Sequence, residues 1–292
     1  MRRFMFVLAG ALTALAAAPA RGQYTTIGIG SGFTTVNGVN DAGAMVGTQG
    51  NLGNQPEIGF VRTGPEILPV SVFLTQTGAS NVTANGINKL GQIVGNYTDE
   101  FGSHGYMQSN ITTYTTIDFP GAEGTVATAI NDSGEIVGYY LEDSKYNGFV
   151  DIGGSLSALN PPGATYTQIY GINNAGQISG TYGGGDCPQR DYCGFVYQGG
   201  KFTRIMAPGA FDTDVYGVSN SGIVVGQYFT ETGVSHGFME SGGVFTNVDV
   251  PGSMGTTVVI DANSSGVLVG NYTITVPGTF GGTITLGFIK MP

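Results

Sequence analysis

The apolar and β-branched residues of this chain fall in short runs, separated by two kinds of turn-forming punctuation, N-x-x-G and Pro-Gly. The N-x-x-G element leads into a β-rich run that itself ends in Gly. The copies are NDAGAMVG (Asn40 to Gly47), NKLGQIVG (Asn88 to Gly95), NDSGEIVG (Asn131 to Gly138), NNAGQISG (Asn173 to Gly180), SNSGIVVG (Ser219 to Gly226) and NSSGVLVG (Asn263 to Gly270). Their first glycines stand at positions 43, 91, 134, 176, 222 and 266, in steps of 48, 43, 42, 46 and 44 residues. A period of this size with β-type composition predicts propeller blades.

Each unit reads as four strands. In the third, Thr125 to Asn131 is the first strand, and the turn Asn131-Asp132-Ser133-Gly134 leads into the second, Glu135 to Leu141. The Asn side chain can bond backbone two residues on, and Gly takes the left-handed position. Asn147 to Ile152 is the third strand; Ser155 to Asn160 is the fourth, ended by Pro162-Gly163. The third strand recurs as HGYM (His104 to Met107), CGFV (Cys193 to Val196), HGFM (His236 to Met239) and LGFI (Leu286 to Ile289). Pro-Gly recurs at Pro120-Gly121, Pro208-Gly209 and Pro251-Gly252, and a residue without a ladder donor suits the end of an outer strand.

QYTTIGI (Gln23 to Ile29) matches a fourth strand such as TYTTIDF (Thr113 to Phe119), while the last unit stops after its third. The expectation is an all-β, six-bladed β-propeller of four-stranded antiparallel blades spanning residues 23–292. The N-terminal strand would pair into the last blade and close the ring. An open stack would need polar capping units, and closure hides sheet edges.

Composition agrees with this picture. The 292 residues include 51 Gly, a density that suits tight turns rather than helices. Residues 1–22 read as a signal peptide: Arg2 and Arg3, an apolar stretch from Phe4 to Ala18 too short for a membrane span, then Ala20-Arg21-Gly22 at the cleavage site. Secretion, periplasmic or extracellular, follows, with no membrane span elsewhere. Cleavage would remove three arginines and leave the chain more acidic than its formal −10, which disfavours nucleic acid as a partner. Cys187 and Cys193 share one loop and should form a local disulfide in an oxidising compartment, worth about 2 kcal/mol by chain entropy.

Candidate chemistry is sparse. The loops between second and third strands carry Asp99, Glu100, Glu142, Asp143, Asp186, Asp191 and Glu231. In a closed ring these acids gather on one face, either as a solvated surface or as a site for a cation or basic ligand. Gly-x-Tyr at the end of the second strand gives Tyr97, Tyr140, Tyr182, Tyr228 and Tyr272, which could stack on sugar faces or pack between blades. The N-D-x-G turns offer too few oxygens for calcium. No G-x-S-x-G elbow or zinc spacing is present, and His104 and His236 lie three units apart. No cofactor is expected.

The His104-Gly105-Tyr106 and His236-Gly237-Phe238 triplets, with the N-x-x-G-x-V-V-G-like runs, resemble the HAF family of bacterial extracellular repeats. The first triplet position holds Ile58, Asn147, Cys193 or Leu286 in the other units, and Gly replaces Ala throughout. The resemblance covers essentially residues 23–292. It implies a secreted bacterial protein with propeller-like repeats and little about activity. Two readings stand: a monomeric, non-catalytic binding or structural module for a protein or glycan, or a hydrolase or lyase acting on carbohydrate. The second requires carboxylates such as Asp99, Glu142 and Glu231 to converge near the axis.

Overall fold

The structure is a computed structural model that describes residues 23–29, 32–50, 56–70, 78–110, 113–187, 192–276 and 282–292. The signal-peptide segment and Asp191 lie outside the described residues. Among the described residues all regular elements are β-strands, arranged as a propeller-like set of mainly four-stranded antiparallel sheets. Among the described residues no helix is long and apolar enough to cross a membrane.

Unit 1 forms the sheet Thr34–Val39, Met45–Gln49, Ile58–Thr63, Glu66–Pro69. Unit 4 forms Ala164–Ile172, Ile178–Gly184, Cys193–Gln198, Lys201–Ile205, and unit 5 forms Asp212–Val218, Val224–Phe229, Ser235–Ser241, Val244–Asn247. In the last unit Val258–Ala262, Leu268–Thr275 and Thr283–Lys290 are completed by Tyr24–Ile27, which pairs antiparallel with the third of these.

Units 2 and 3 depart from the expected separate sheets. Their strands Gly86–Ile87, Ile93–Asp99, Gly102–Asn110, Thr113–Ile117 and Gly124–Ile130, Ile136–Glu142, Lys145–Ile152, Ser155–Ala158 belong to one eight-stranded sheet. The structure therefore has four four-stranded sheets and one double one, not six equal sheets. A single parallel pairing, Gly124 with Ser103, makes the junction. Even a Cβ on Gly124 would meet Ser103 only at van der Waals distance, 3.4 Å, so the junction does not depend on glycine here.

The turn chemistry is as the sequence predicts. Asn40 Oδ1 accepts the N–H groups of Ala42 and Ala44 at 3.0 and 2.9 Å, and the N–H of Gly43 donates to the Asn40 carbonyl at 2.9 Å. Gly43 has φ +79°, a left-handed value that favours glycine.

The core explains the rest of the repeat. Among the described residues the buried apolar side chains form six clusters, each holding one third-strand aromatic: Phe60, Tyr106, Phe149, Phe195, Phe238 or Phe288. Each aromatic lies opposite the glycine that ends the N-x-x-G run, as in Gly226 with Phe238. Flat rings fill the space that a second-strand side chain would need, so the glycine and the aromatic are one packing unit. Cys187 and Cys193 are disulfide-bonded, with Cα atoms 5.8 Å apart.

Candidate functional site

The first strands of the units surround a cavity of about 290 Å³. One end is laced by the N-x-x-G turns. Besides holding its own turn, the Asn side chain reaches the next unit: Nδ2 of Asn40 donates to the carbonyl of Asn88 (3.0 Å), Asn88 to Asn131 (3.1 Å), Asn131 to Asn173 (3.3 Å) and Asn173 to Ser219 (3.0 Å). Asn263 donates to the carbonyl of Asn40 at 3.3 Å.

The residues one position further on make a second set of links. The N–H groups of Lys89, Asp132 and Asn174 donate to the side chains of Asp132, Asn174 and Asn220 at 2.9, 2.9 and 2.7 Å. Asn220 Nδ2 donates to Asp41 Oδ2 at 3.0 Å, and Ser264 N–H to Asp41 Oδ1 at 2.8 Å. Burial raises the carboxyl pKa of Asp41, but the bonds from Ser264 and Asn220 outweigh it and hold the group below its ordinary value.

The side wall breaks the repeat. Three residues before the turn, units 1, 2, 3 and 6 carry Asn37, Asn85, Thr128 and Ile260, whereas units 4 and 5 carry Tyr170 and Tyr216. Tyr139, from the second strand of unit 3, joins them on the cavity wall. The Tyr170 ring lies 4.9 Å from Tyr216 at 63° and 6.1 Å from Tyr139 at 70°. The aromatic array extends through Tyr146 and Tyr166 to Tyr192. Gln168 Oε1 accepts the hydroxyls of both Tyr166 and Tyr170, and Gln227 Nε2 donates to Tyr216 Oη (3.0 Å) and Asp214 Oδ2 (3.1 Å). Burial drives the Asp214 pKa up; the Gln227 bond offsets it only in part.

On the opposite wall, Asp261 occupies the position held by Gly38, Gly86, Gly171 and Gly217 in units 1, 2, 4 and 5. It accepts N–H bonds from Val39 (2.9 Å) and Ala262 (2.8 Å). Burial pushes its pKa up to about 7 against these two bonds. Because the folded value exceeds the unfolded one, protonated Asp261 contributes stability that is full below about pH 4 and lost as pH rises through about 7. Between pH 5 and pH 8 the loss is about 3 kcal/mol. Asp261→Asn keeps the shape and removes the charge. Denaturant unfolding should show its pH dependence over this window reduced by more than half; a slope equal to the parent's would refute the assignment.

The residues singled out from the sequence are distributed differently. Tyr97, Tyr140, Tyr182 and Tyr272 are buried and Tyr228 is half-buried. Tyr140 stacks on Phe119 at 3.7 Å. The hydroxyls of Tyr182, Tyr228 and Tyr272 bond Asp186, Asn247 and Thr26. Four of these tyrosines belong to core clusters shared with the preceding unit, Tyr97 with Val46, Tyr140 with Val94, Tyr182 with Val137 and Tyr272 with Val225, so they pack between units. Asp99, Glu142, Asp186 and Glu231 sit at the ends of separate hairpins, with Glu100 and Asp143 in the adjacent turns. Among the described residues no group of three or more His, Cys, Asp or Glu side chains could hold a metal ion.

The two histidines, three units apart, are each held by aspartate. His104 Nδ1 lies 2.9 Å from Asp118 and Nε2 3.2 Å from Asp99, with the ring stacked on Tyr97. His236 repeats the pattern with Asp249 (2.9 Å) and Tyr228. The sequence signal is the Asp two residues before Pro120 and Pro251. Burial lowers the His104 pKa, but the bond to Asp118 and the two carboxylate charges overcome this and raise it.

A propeller-like all-β protein with a polar, aromatic central cavity is thus defined. No known family matches the chain, and no curated protein sequence does. Solved structures do share its fold. A protein of unknown function from Dyadobacter fermentans is 10% identical, with a TM-score of 0.57 over 92% of this chain and 97% of that one. A catalytically inactive virginiamycin B lyase from Staphylococcus aureus, solved with quinupristin, is 9% identical, with a TM-score of 0.51 over 93% and 100%. A lectin from Aleuria aurantia, in complex with a fucosyl-GlcNAc disaccharide, is 11% identical, with a TM-score of 0.51 over 88% and 96%. At these identities the likeness concerns the fold alone.

Proposed function

We propose that the chain is a secreted, non-catalytic β-propeller of the HAF type, six blades in a closed ring, that binds a small polar ligand in its central cavity. Six core clusters, the single pairing that joins units 2 and 3, and the Asn263–Asn40 link support six blades and closure. The disulfide agrees with an oxidising compartment.

The observation that carries the binding reading is the departure of Tyr170 and Tyr216 from the repeat. A position that serves only the blade should look alike in every blade, while a site on a repeated scaffold must break the symmetry. Amide side chains such as Asn37, Asn85 and Asn96 supply donors and acceptors around the same cavity as the tyrosine faces. A lectin among the fold neighbours makes a glycan one natural ligand. The alternative, a carbohydrate hydrolase or lyase, is disfavoured because none of Asp99, Glu142 and Glu231 lines the central cavity.

A small-molecule and glycan screen read by tyrosine fluorescence tests this; the chain has no Trp to mask the signal. Tyr216→Leu should weaken a found ligand by about tenfold or more, the loss of one aromatic contact. Asp99→Asn with Glu231→Gln should leave it unchanged. The opposite pattern would move the site to the loop face and sink the cavity reading.

A further inference from the structure

The binding reading above can be taken one step further, to the chemistry of the ligand, because the cavity wall has a charge and an aromatic bias that select strongly. Among the described residues its lining includes Asp41, Asp132 and Asp261 and no Lys, Arg or His. Lys89, at the turn end, is committed to Asp132 at 3.3 Å. Asp214 stands behind the tyrosine wall, bonded to the same Gln227 amide that holds Tyr216. Asp261 accepts two backbone N–H bonds, meets no cation among the described residues, and adds its charge to the wall as it ionises near pH 7. Among the described residues an anionic ligand would find amide donors on this wall but no cationic side chain, and would face the carboxylates.

Three tyrosine rings meeting at steep angles form a bent wall that presents π-faces as well as edges. Such faces attract a cation by their quadrupole, most strongly where water is excluded. Tyr139, Tyr170 and Tyr216 are deeply enclosed, and each keeps surface open to the cavity. Among the described residues no group of three or more His, Cys, Asp or Glu side chains could hold a metal ion. An organic ammonium needs no convergent ligand set; it needs aromatic faces, diffuse negative potential and room, and a cavity of about 290 Å³ provides the room.

We propose that the central cavity binds a small organic ammonium ion against Tyr139, Tyr170 and Tyr216, with the surrounding carboxylates excluding anions. The inference rests on the cavity-binding reading. Two sources carry this chemistry: a methylated ammonium such as choline, or the protonated amine of an amino sugar.

The test is titration calorimetry of the whole protein with four probes: choline, its uncharged isostere 3,3-dimethyl-1-butanol, glucosamine and N-acetylglucosamine. Choline or glucosamine should bind about tenfold tighter than its neutral counterpart. Which pair shows the preference identifies the source. Tyr170→Phe keeps the ring and should keep the preference; Tyr170→Leu should lose it by about tenfold. Tyr216→Leu serves as a second variant, and unchanged melting shows that each remains folded. Neutral probes binding as well as charged ones would overturn the ammonium assignment and leave the cavity reading intact. No binding by any of the four, while the broader screen yields a ligand lost in Tyr216→Leu, would do the same. A preference that survives both leucine variants would place the ammonium elsewhere and overturn the proposal. A silent screen would overturn both readings.

Discussion

Replacing Gly226 by Ala is expected to cost about 3 kcal/mol or more, a large fraction of the stability of an ordinary domain. A Cβ at this position would lie 1.9 Å from the carbonyl oxygen of Asp214 and 2.9 Å from the ring of Phe238. The first contact is with backbone held in the Asp212–Val218 pairing and cannot be relieved by a rotamer change. Relief requires the first two strands of the sheet to separate, which breaks their ladder and opens the seam toward Val259 and Val215. A compensating Phe238→Leu would remove only the ring contact. Urea unfolding of the single and double variants measures this. If Gly226→Ala loses less than about 1 kcal/mol, or if Phe238→Leu rescues it fully, the backbone clash is not the cause.

Deletion of residues 23–29 is expected to cost at least as much. Ile27 is buried in a cluster with Val36 and Phe60, worth about 2 kcal/mol by area. The Tyr24 ring meets Phe288 edge-on at 5.6 Å, worth about 1 kcal/mol. The Thr26 hydroxyl bonds Tyr272 at 2.7 Å, and the strand's ladder to Thr283–Lys290 is lost with it, for about 1 kcal/mol more. The deletion also leaves Thr283–Lys290 as an unpaired edge, so aggregation should accompany the lower melting temperature. A truncated protein that melts like the parent would contradict closure of the ring through this strand.

Much of this architecture is legible in the chain because turns and packing units are local. Asn131 to Gly134 specifies its own turn, and QYTTIGI declares itself a fourth strand by comparison with TYTTIDF. The joining of units 2 and 3 is not local: it depends on how closely Ser103 and Gly124 approach across a loop. The site was harder to read for a related reason. Repetition draws the eye to positions such as Tyr97 and Tyr140, which recur because every sheet needs them for packing. The cavity tyrosines occupy positions that vary between units, so they leave no motif. An alignment of the units on the turn Asn does expose Tyr170 and Tyr216, three residues upstream, as the departures. Asp261 is exposed by the same alignment, one residue later, as an acid where four units have Gly.

The asparagine links at the turns carry a mechanical consequence. From Asn40 to Asn173 every turn ties the next, and Asn263 ties back to Asn40, but the fifth unit has Ser219. Its hydroxyl is spent on Ser221 and the N–H of Ile223 within its own turn. Asn220 reaches past the neighbouring turn to Asp41 instead. The joint between units 5 and 6 is therefore the least fastened at this end of the cavity. Loss of order at the turns on heating would begin there, three residues along the chain from Tyr216, while the shared core of Val225, Val248 and Val259 still holds the two units together.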